Sequence, residues 1–364
     1  MSFEILGIGT ATPEHSIDQL DAATLAESSC WQGSGQLRVL QAIHRRTGVR
    51  TRHSVVLESS TNHTPARQSF YQPATSSDDH GPTMASRMRR YESDAAPLAC
   101  EVTTTALREA GTSPADVTHL VTVSCSGFAA PGFDLSLVDA LGFPADVART
   151  HVGFMGCHGA LNGLRVARAF TDADPDARVV VCAVELCSLH HQYGWDPEKI
   201  VANALFADGA AAIVGRRAPA TGRSNWSLAA SGSTIIAGTA GAMSWRIGDH
   251  GFEMSLSSQV PDYIRRHLPG WLERWLGEHG LSVDEIGSWA IHPGGPRVLT
   301  ACAEAVGLAG HLLDPSREIL AEFGNMSSPT LLFILERLRD RGAARPCVLL
   351  GFGPGLTVEA ALLR

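Results

Sequence analysis

Long apolar runs are absent from the chain: no stretch approaches the roughly 20 apolar residues that a membrane-spanning helix requires. The opening segment, MSFEILGIGTATP, also lacks the basic region and the apolar region of a secretory signal peptide. We therefore expect a cytoplasmic protein that has no membrane partner.

Positive charge is scarce relative to negative charge. The 364 residues include 29 Lys and Arg against 37 Asp and Glu, which gives a formal net charge of −8. A chain with this balance is not attracted to a phosphate backbone, so nucleic acid is not expected as a partner. Hydrophobic residues make up 44% and charged residues 18% of the chain, which is typical of a folded globular protein with room for more than one domain.

Cysteine pairs at metal-binding spacing are also missing. The eight cysteines contain no CxxC pair and are not spaced like a secreted disulfide framework. His190 and His191 lie close to Tyr193 and Trp195, but no third ligand follows at helix or turn spacing. The sequence therefore predicts no metal site, and most of the cysteines are expected to be small buried hydrophobic residues.

Strand and helix patterns alternate along the chain, which predicts an α/β fold. Residues 3–13 are expected to form a strand and a turn, and residues 54–92 a loop with short helical pieces. Residues 95–110 are expected to form a helix that ends at Gly111. The run ARVVVCAVEL is apolar enough for a strand that is buried on both faces.

The second part of the sequence appears as a repeat of the first. A segment that ends at Cys125 has a counterpart that ends at His292, 167 residues later, and a Gly-led turn at Cys157 has a counterpart at Asn325, 168 residues later. Because the two spacings agree, we predict two similar α/β halves. The predicted halves are residues 1–220 and 221–364.

Cys157 is a candidate nucleophile. It follows a predicted strand and begins a predicted helix in FMGCHGALNGL, where Gly156 and Gly159 allow a sharp turn. The unpaired N–H groups and the positive end of a helix favour a thiolate and can hold an oxyanion. A structural cysteine at a tight turn is the alternative interpretation of the same pattern.

His292 and Asn325 are the partners that the repeat suggests. His292 ends the strand SWAI, at the sheet edge where ligands of α/β folds collect. Asn325 follows Gly324 in the position that Cys157 holds in the first half. An imidazole can exchange protons near neutral pH and an amide can donate to an oxyanion, although Asn is also a good helix N-cap.

Two further segments bear on a site. The basic segment LRVLQAIHRRTGVRTRH contains Arg45 and Arg46. It can bind the phosphates of a coenzyme A tail or of a carrier protein's phosphopantetheine, or it can be a solvated helix face. The segment GFGPGLTVEAALL, residues 351–363, predicts a rigid hairpin that shapes a cavity without chemistry of its own.

Taken in order, these segments resemble the chalcone and stilbene synthase family, the type III polyketide synthases. The similarity extends along nearly the whole chain and includes GIGTATP, RRTGVRTRH, SGFAAPG, LFADGAAAIVG, IHPGGP, GNMSS and GFGPGLTVE. The last three motifs together are highly specific for the family. The resemblance implies a thiolase-like, five-layered α/β/α/β/α fold made of two similar halves, and usually a homodimer.

The resemblance also implies roles for particular residues. Cys157 would carry the starter acyl group, and His292 with Asn325 would bind and decarboxylate malonyl-CoA. Phe206 matches the aromatic residue between the coenzyme A tunnel and the cavity. The positions that match cavity-lining residues are Cys125, Cys187, His190, Gly251 and Ser327. Arg45 and Arg46 are assigned to the coenzyme A tail from the basic segment itself, since its arginines do not align cleanly with the lysines that bind coenzyme A in plant members.

We therefore expect an acyltransferase that joins malonyl-CoA units to an acyl starter by decarboxylative Claisen condensation and releases a pyrone, a resorcinol or a similar small polyketide. Coenzyme A thioesters are its substrates, no cofactor is implied, and an acyl carrier protein is an alternative donor of the starter. Two other readings remain: a relative that performs one condensation, like a β-ketoacyl-carrier-protein synthase III, and a catalytically silent thiolase-fold protein that binds a partner. His158 stands where plant members commonly have Phe, and His190 replaces a smaller hydroxyl residue.

Overall fold

The structure is a computed structural model that describes residues 2–31, 36–62, 64–219 and 225–364. The predicted boundary between residues 220 and 221 lies outside the described residues. Within the described ranges, no helix combines the length and the apolar character needed to cross a membrane.

Fifteen strands are found in the described part of the chain. They are β1 (Phe3–Ala11), β2 (Ser16–Asp18), β3 (Thr51–His53), β4 (Leu57–Ser59), β5 (Arg67–Gln68), β6 (His119–Ser124), β7 (Ala148–Gly153), β8 (Arg178–Leu186), β9 (Asp208–Arg217), β10 (Ser227–Ile235), β11 (Met243–Gly248), β12 (Gly251–Leu256), β13 (Ser288–Ile291), β14 (Cys347–Gly353) and β15 (Thr357–Leu363).

Ten α-helices alternate with these strands in the same described ranges. They are α1 (Gln19–Ser28), α2 (Leu37–Arg46), α3 (Met84–Ala110), α4 (Phe133–Leu141), α5 (Gly159–Ala173), α6 (Pro197–Leu205), α7 (Val260–Glu278), α8 (Pro296–Val306), α9 (Asp314–Phe323) and α10 (Pro329–Asp340). Short 3₁₀ helices include Gly156–His158 and Cys187–His190.

Nine strands form one sheet in the order β13-β14-β15-β10-β1-β9-β8-β6-β7. The order is repeated on either side of the β1–β10 pair, because β9, β8 and β6 occupy the places that β15, β14 and β13 hold on the other side. The outer pairs β6–β8 and β13–β14 are both parallel, whereas β8–β9 and β14–β15 are both antiparallel. The two halves therefore share one strand topology.

Helices cover both faces of the sheet. On β8, Val179 and Val181 belong to a central core, whereas Val180 and Cys182 face an outer core, as expected from the two-residue period of a strand. Helices α5 and α10 lie in the central layer and contact strands from both halves. Helix α3 covers the outer face of the first half, and α7 with α8 covers that of the second. The two halves of the sheet lie on either side of α5 and α10, and each is covered on its outer face by further helices. The order of layers is therefore α/β/α/β/α.

One predicted helix boundary is wrong. The loop expected over residues 54–92 contains the first turns of α3, which begins at Met84 instead of residue 95. Thr83 caps the helix, because its side chain accepts a hydrogen bond from the Ser86 N–H. Buried Arg87 and Tyr91 then extend the apolar face at helical spacing, although the segment reads as polar along the sequence.

Candidate active site

Cys157 lies in a tight turn between β7 and α5. Phe154 and Gly156 both have positive φ angles, of 56° and 68°. A Cβ atom on residue 156 would lie 2.5 Å from Cδ of Pro354, so this position requires glycine for space as well as for conformation. We call residues 154–158 the Cys157 turn. It places the thiol in the short 3₁₀ helix that leads into α5.

His292 follows the last residue of β13. Its backbone N–H donates to the Leu350 carbonyl at 2.8 Å, which continues the pairing of β13 with β14 by one residue. The side chain is buried, with 1% exposed. Neither ring nitrogen has a hydrogen-bond partner among the described residues. Both nitrogens are therefore available to a substrate.

Asn325 follows Gly324, whose φ angle is 76°. The backbone of Asn325 pairs with that of Phe206 in an isolated parallel bridge. Its Oδ1 accepts a hydrogen bond from the Ser327 N–H at 2.8 Å. This contact fixes the amide plane and leaves Nδ2 to donate towards the Cys157 thiol.

A single cavity of about 440 Å³ is lined by Cys157, His292 and Asn325. The three side chains come from different parts of the chain: the Cys157 turn, the end of β13 and the loop before α10. The structure thus brings the thiol, the imidazole and the carboxamide together, as the repeat in the sequence predicts.

Burial dominates the electrostatics of the site. It raises the pKa of the Cys157 thiol to about 12, against the hydrogen bonds from Ser327 and Asn325 and with the nearby Glu185 carboxylate. Burial also lowers the pKa of His292 to about 3. The stabilisation of a thiolate that the sequence suggests at a helix start is therefore outweighed, and both the thiol and the imidazole are neutral near pH 7.

Phe206 stands at the junction of three cavities. It directly follows α6. Its side chain lines the 440 Å³ cavity, an inner cavity of about 20 Å³ and a third cavity of about 100 Å³. The backbone of Phe206 is fixed by Arg52, whose guanidinium donates to the Phe206 carbonyl at 2.9 Å. The position between a tunnel and a cavity that the resemblance implies for Phe206 is consistent with this placement.

The inner cavity contains three of the predicted lining residues. Cys125, Cys187 and Ser327 surround it together with Cys157. The Ser327 hydroxyl lies 3.4 Å from the Cys125 sulfur. Two cysteines besides the candidate nucleophile thus contribute to the wall next to it.

His190 and Gly251 do not line these three cavities. The His190 Nε2 donates to the Ser126 carbonyl at 2.5 Å, and its Nδ1 accepts from the Phe252 N–H at 3.0 Å. The His190 ring stacks on the Phe252 ring with their centroids 4.2 Å apart. A Cβ atom at Gly251 would meet the buried guanidinium of Arg87 at 3.0 Å. Both residues therefore pack behind the side chains that line the cavities.

Two family models together match almost the whole chain. The model for the N-terminal domain of chalcone and stilbene synthases matches residues 2–218, and the model for their C-terminal domain matches residues 227–364. The chain belongs to the chalcone and stilbene synthase family. It is a type III polyketide synthase, and as such an acyltransferase.

The chain is similar to several named synthases along nearly its whole length. The chain is 36% identical to 1,3,6,8-tetrahydroxynaphthalene synthase of Streptomyces peucetius subsp. caesius, over 99% of this chain and 92% of that protein. It is 30% identical to the alpha-pyrone synthesis polyketide synthase-like Pks18 of Mycobacterium tuberculosis, over 98% and 90%. The crystal structure of PKS-I from the brown alga Ectocarpus siliculosus superposes with a TM-score of 0.90 at 29% identity, covering 100% of this chain and 99% of that chain.

This polyketide synthase contains a wall residue that the sequence analysis missed. Trp245 lines the inner cavity, and its indole N–H donates to the Cys125 carbonyl at 2.7 Å. Its ring lies 6.2 Å from that of Phe206. Met243 and Met254 flank it on the β11–β12 hairpin. The alternation of apolar and polar residues in AMSWRIGDHGFEMSL, around a polar turn, is the signal that would have identified this hairpin.

The lining of the 440 Å³ cavity carries positive charge from two elements, besides the carboxylate of Glu198. Arg46, at the end of α2, and Arg297, in the first turn of α8, both line it. Arg45 does not belong to the lining. Arg297 was not predicted, because it is separated from the basic segment by some 250 residues in the sequence and approaches Arg46 only through the fold.

Among the residues that the structure describes, no group of three His, Cys, Asp or Glu could hold a metal ion.

Proposed function

We propose that this type III polyketide synthase loads an acyl starter onto Cys157 and extends it with malonyl-CoA, while His292 and Asn325 hold the thioester carbonyl. The observation that carries the proposal is the shared cavity, in which the His292 ring nitrogens have no protein partner and the Asn325 amide is fixed by Ser327. Polar groups that are buried without partners are costly, so their presence here favours a ligand that pairs with them.

The reaction begins with a proton transfer. His292 takes the proton of the Cys157 thiol while the sulfur attacks the starter thioester carbonyl. It then passes this proton to the departing sulfur, so that coenzyme A leaves as its thiol and His292 is neutral again. Malonyl-CoA then binds with its thioester oxygen towards His292 and Asn325. Loss of CO₂ leaves an enolate whose negative oxygen accepts hydrogen bonds from these two side chains.

Carbon–carbon bond formation completes each cycle. The enolate carbon attacks the acyl carbonyl on Cys157, the C–S bond breaks, and the lengthened chain is carried on coenzyme A. A neutral His292 suits decarboxylation, because it donates one N–H to the oxyanion without carrying a buried positive charge. Burial, which lowers the pKa of His292 to about 3, keeps it in this form.

In this proposal, coenzyme A enters the site through the mouth of the 440 Å³ cavity. Arg46 and Arg297 are the cationic groups there, and guanidinium groups pair well with phosphates. An acyl carrier protein, which presents a phosphopantetheine arm, is an alternative donor at the same mouth.

The inner cavity favours a small product. Its volume of about 20 Å³ leaves room for about one water molecule. A growing chain therefore extends towards the large cavity or displaces the indole of Trp245. We propose a short polyketide that closes to a pyrone, a resorcinol or a similar ring. The same narrowness favours the second candidate, a single condensation that releases a 3-ketoacyl product.

A second copy of the chain is the proposed partner. Phe128, Phe154 and Met155 are exposed by 54%, 43% and 38%, and the first two rings lie 6.1 Å apart. This apolar surface continues into β7, which forms one edge of the nine-stranded sheet. Such a surface next to an open sheet edge is typical of an isologous dimer interface. We propose a cytoplasmic homodimer whose chains each consist of halves 1–220 and 221–364.

The test is an assay of the pure protein with radiolabelled malonyl-CoA and a panel of acyl-CoA starters. Multi-unit pyrones or resorcinols support polyketide synthesis, a single 3-ketoacyl product supports one condensation, and absence of turnover supports a silent partner protein. Cys157→Ala should abolish condensation, whereas Cys100→Ala, on α3 and outside the cavities, should retain it. Full activity of Cys157→Ala would refute the proposal.

A further inference from the structure

The side chain next to the candidate nucleophile points away from the cavity and into the other half of the molecule. His158 is buried, with 2% exposed, and is not among the residues that line the cavities at Cys157. It packs against β14 at two glycines. A Cβ atom on Gly353 would lie 2.3 Å from the His158 Nε2, and one on Gly351 would lie 2.9 Å from the His158 Cβ.

Both nitrogens of this ring are paired. The His158 Nδ1 lies 2.8 Å from the Asn162 Oδ1, one turn along α5, so this nitrogen carries the proton and donates. The Nε2 lies 2.6 Å from the Thr357 hydroxyl and accepts from it. Thr357 is the first residue of β15 and lies just after the Gly-Pro-Gly-Leu connection of the C-terminal hairpin.

The same hairpin touches the Cys157 turn on the other side of the nucleophile. Gly156 packs directly on Pro354, which lines the inner cavity together with Cys157. The residues on either side of Cys157 thus both contact the hairpin. Gly156 does so through van der Waals packing, and His158 through a hydrogen bond. The hydrogen bond is the only one of these contacts with a fixed direction, so it sets how the turn is rotated against the hairpin.

We propose that His158 is a positioning residue, which through its hydrogen bond to Thr357 locks the Cys157 turn to the C-terminal hairpin and so aims the thiol at the starter thioester. The inference rests on the proposed function, since it concerns the orientation of Cys157 as the acylated group. It does not concern malonyl-CoA binding, because neither the His292 nor the Asn325 side chain forms a hydrogen bond with His158 or Thr357 in the described residues.

The test uses Thr357→Val, which removes the hydroxyl and keeps the shape, and His158→Phe, which keeps a ring between the glycines without its hydrogen bonds. The matched control is Thr234→Val, on the neighbouring strand β10, where Thr234 pairs with Val358. The readouts are the single-turnover rate of starter transfer from acyl-CoA to Cys157, followed by mass spectrometry, the KM for malonyl-CoA, and the melting temperature.

Starter transfer should fall about fivefold or more in both single variants, in line with the loss of one buried hydrogen bond. The double variant should transfer no more slowly than the worse single variant, because both changes break one interaction. The KM for malonyl-CoA should stay within about twofold of the original, and Thr234→Val should behave like the unchanged protein.

Wild-type starter transfer in Thr357→Val would overturn the inference, and so would an equal loss in Thr234→Val. An equal rise in the KM for malonyl-CoA would also overturn it, since that would indicate a general loss of structure. If His158→Phe does not fold, Thr357→Val alone decides the matter. Failure of the proposed function is recognised separately, because Cys157→Ala would then still condense.

Discussion

Burial acts on Cys157 and His292 in opposite directions. It raises the pKa of the thiol and lowers that of the imidazole, so the resting pair is uncharged. The hydrogen bonds from Ser327 and Asn325 favour the thiolate but do not outweigh desolvation by the protein. Activation therefore depends on the substrate, whose thioester and coenzyme A moiety bring new dipoles and charges into the cavity.

This electrostatic balance predicts the pH dependence of alkylation at Cys157. Because the thiol pKa is raised, the thiolate fraction is small near neutrality and increases with pH. The rate of carboxamidomethylation by iodoacetamide, measured by peptide mass spectrometry, should rise about tenfold per pH unit between about pH 7 and 9. Ser327→Ala removes a hydrogen bond that lowers the pKa, so it should slow the reaction further. A plateau below about pH 8 would contradict the assignment.

Trp245 limits the space beside the thiol. Trp245→Ala should enlarge the inner cavity, because the indole fills its wall and only about 20 Å³ is free. We expect the product mixture, analysed by liquid chromatography and mass spectrometry, to shift towards longer polyketides or bulkier starters. Trp195→Ala removes an exposed indole away from the inner cavity and should leave the products unchanged. An unchanged product mixture in Trp245→Ala would show that chain length is set elsewhere.

At the scale of elements, three turns position the side chains of the candidate site. The Cys157 turn follows the edge strand β7, His292 follows the buried strand β13, and the loop before α10 follows α9. All three line one cavity. Gly156 and Gly324, both with positive φ, hold corresponding places before Cys157 and Asn325. The repeat in the sequence therefore corresponds to a repeat of turn geometry, and this is what brings the thiol and the carboxamide together.

Substitution of Gly156 tests the close packing of the Cys157 turn. Gly156→Ala adds a Cβ atom 2.5 Å from Pro354 to a residue with a φ of 68°, whereas Gly142→Ala adds one at a φ of 72° with nothing within 4 Å. In urea unfolding, Gly142→Ala should lose about 1 kcal/mol from backbone strain alone. Gly156→Ala should lose roughly 1–3 kcal/mol more from overpacking, and most of its activity. Equal losses in the two variants would mean that the turn can shift away from the hairpin.

At the scale of the whole molecule, the exposed apolar surface at β7 predicts the oligomeric state. Phe128→Asp places a charge in the proposed interface, so light scattering should change from about twice the chain mass of 38.6 kDa to the single mass. Ile235→Asp, at a residue that is 73% exposed on β10, is the control and should remain dimeric. A monomer before any substitution would remove the basis for a dimer at this surface.

The sequence was sufficient to predict the fold class and the three residues that meet in the cavity. Strands such as β8 are continuous apolar runs, and the repeat is indicated by two spacings that agree within one residue, Cys157 to Asn325 and Cys125 to His292. The pattern did not reveal the start of α3, because the buried side of that helix carries Arg87. It did not predict the inward position of Trp245 or the position of His190 behind the cavity wall, because both depend on a hairpin that packs across the two halves.

The most direct test of this account is the location of the acyl group after the protein has been incubated with acyl-CoA alone. Without malonyl-CoA the starter cannot be extended, so intact mass and peptide mapping should show one acyl group per chain, attached to Cys157. The other seven cysteines should remain free, and Cys157→Ala should acquire no acyl group. An acyl group on Cys125 or Cys187 instead, or none at all with a starter that supports turnover, would contradict the account.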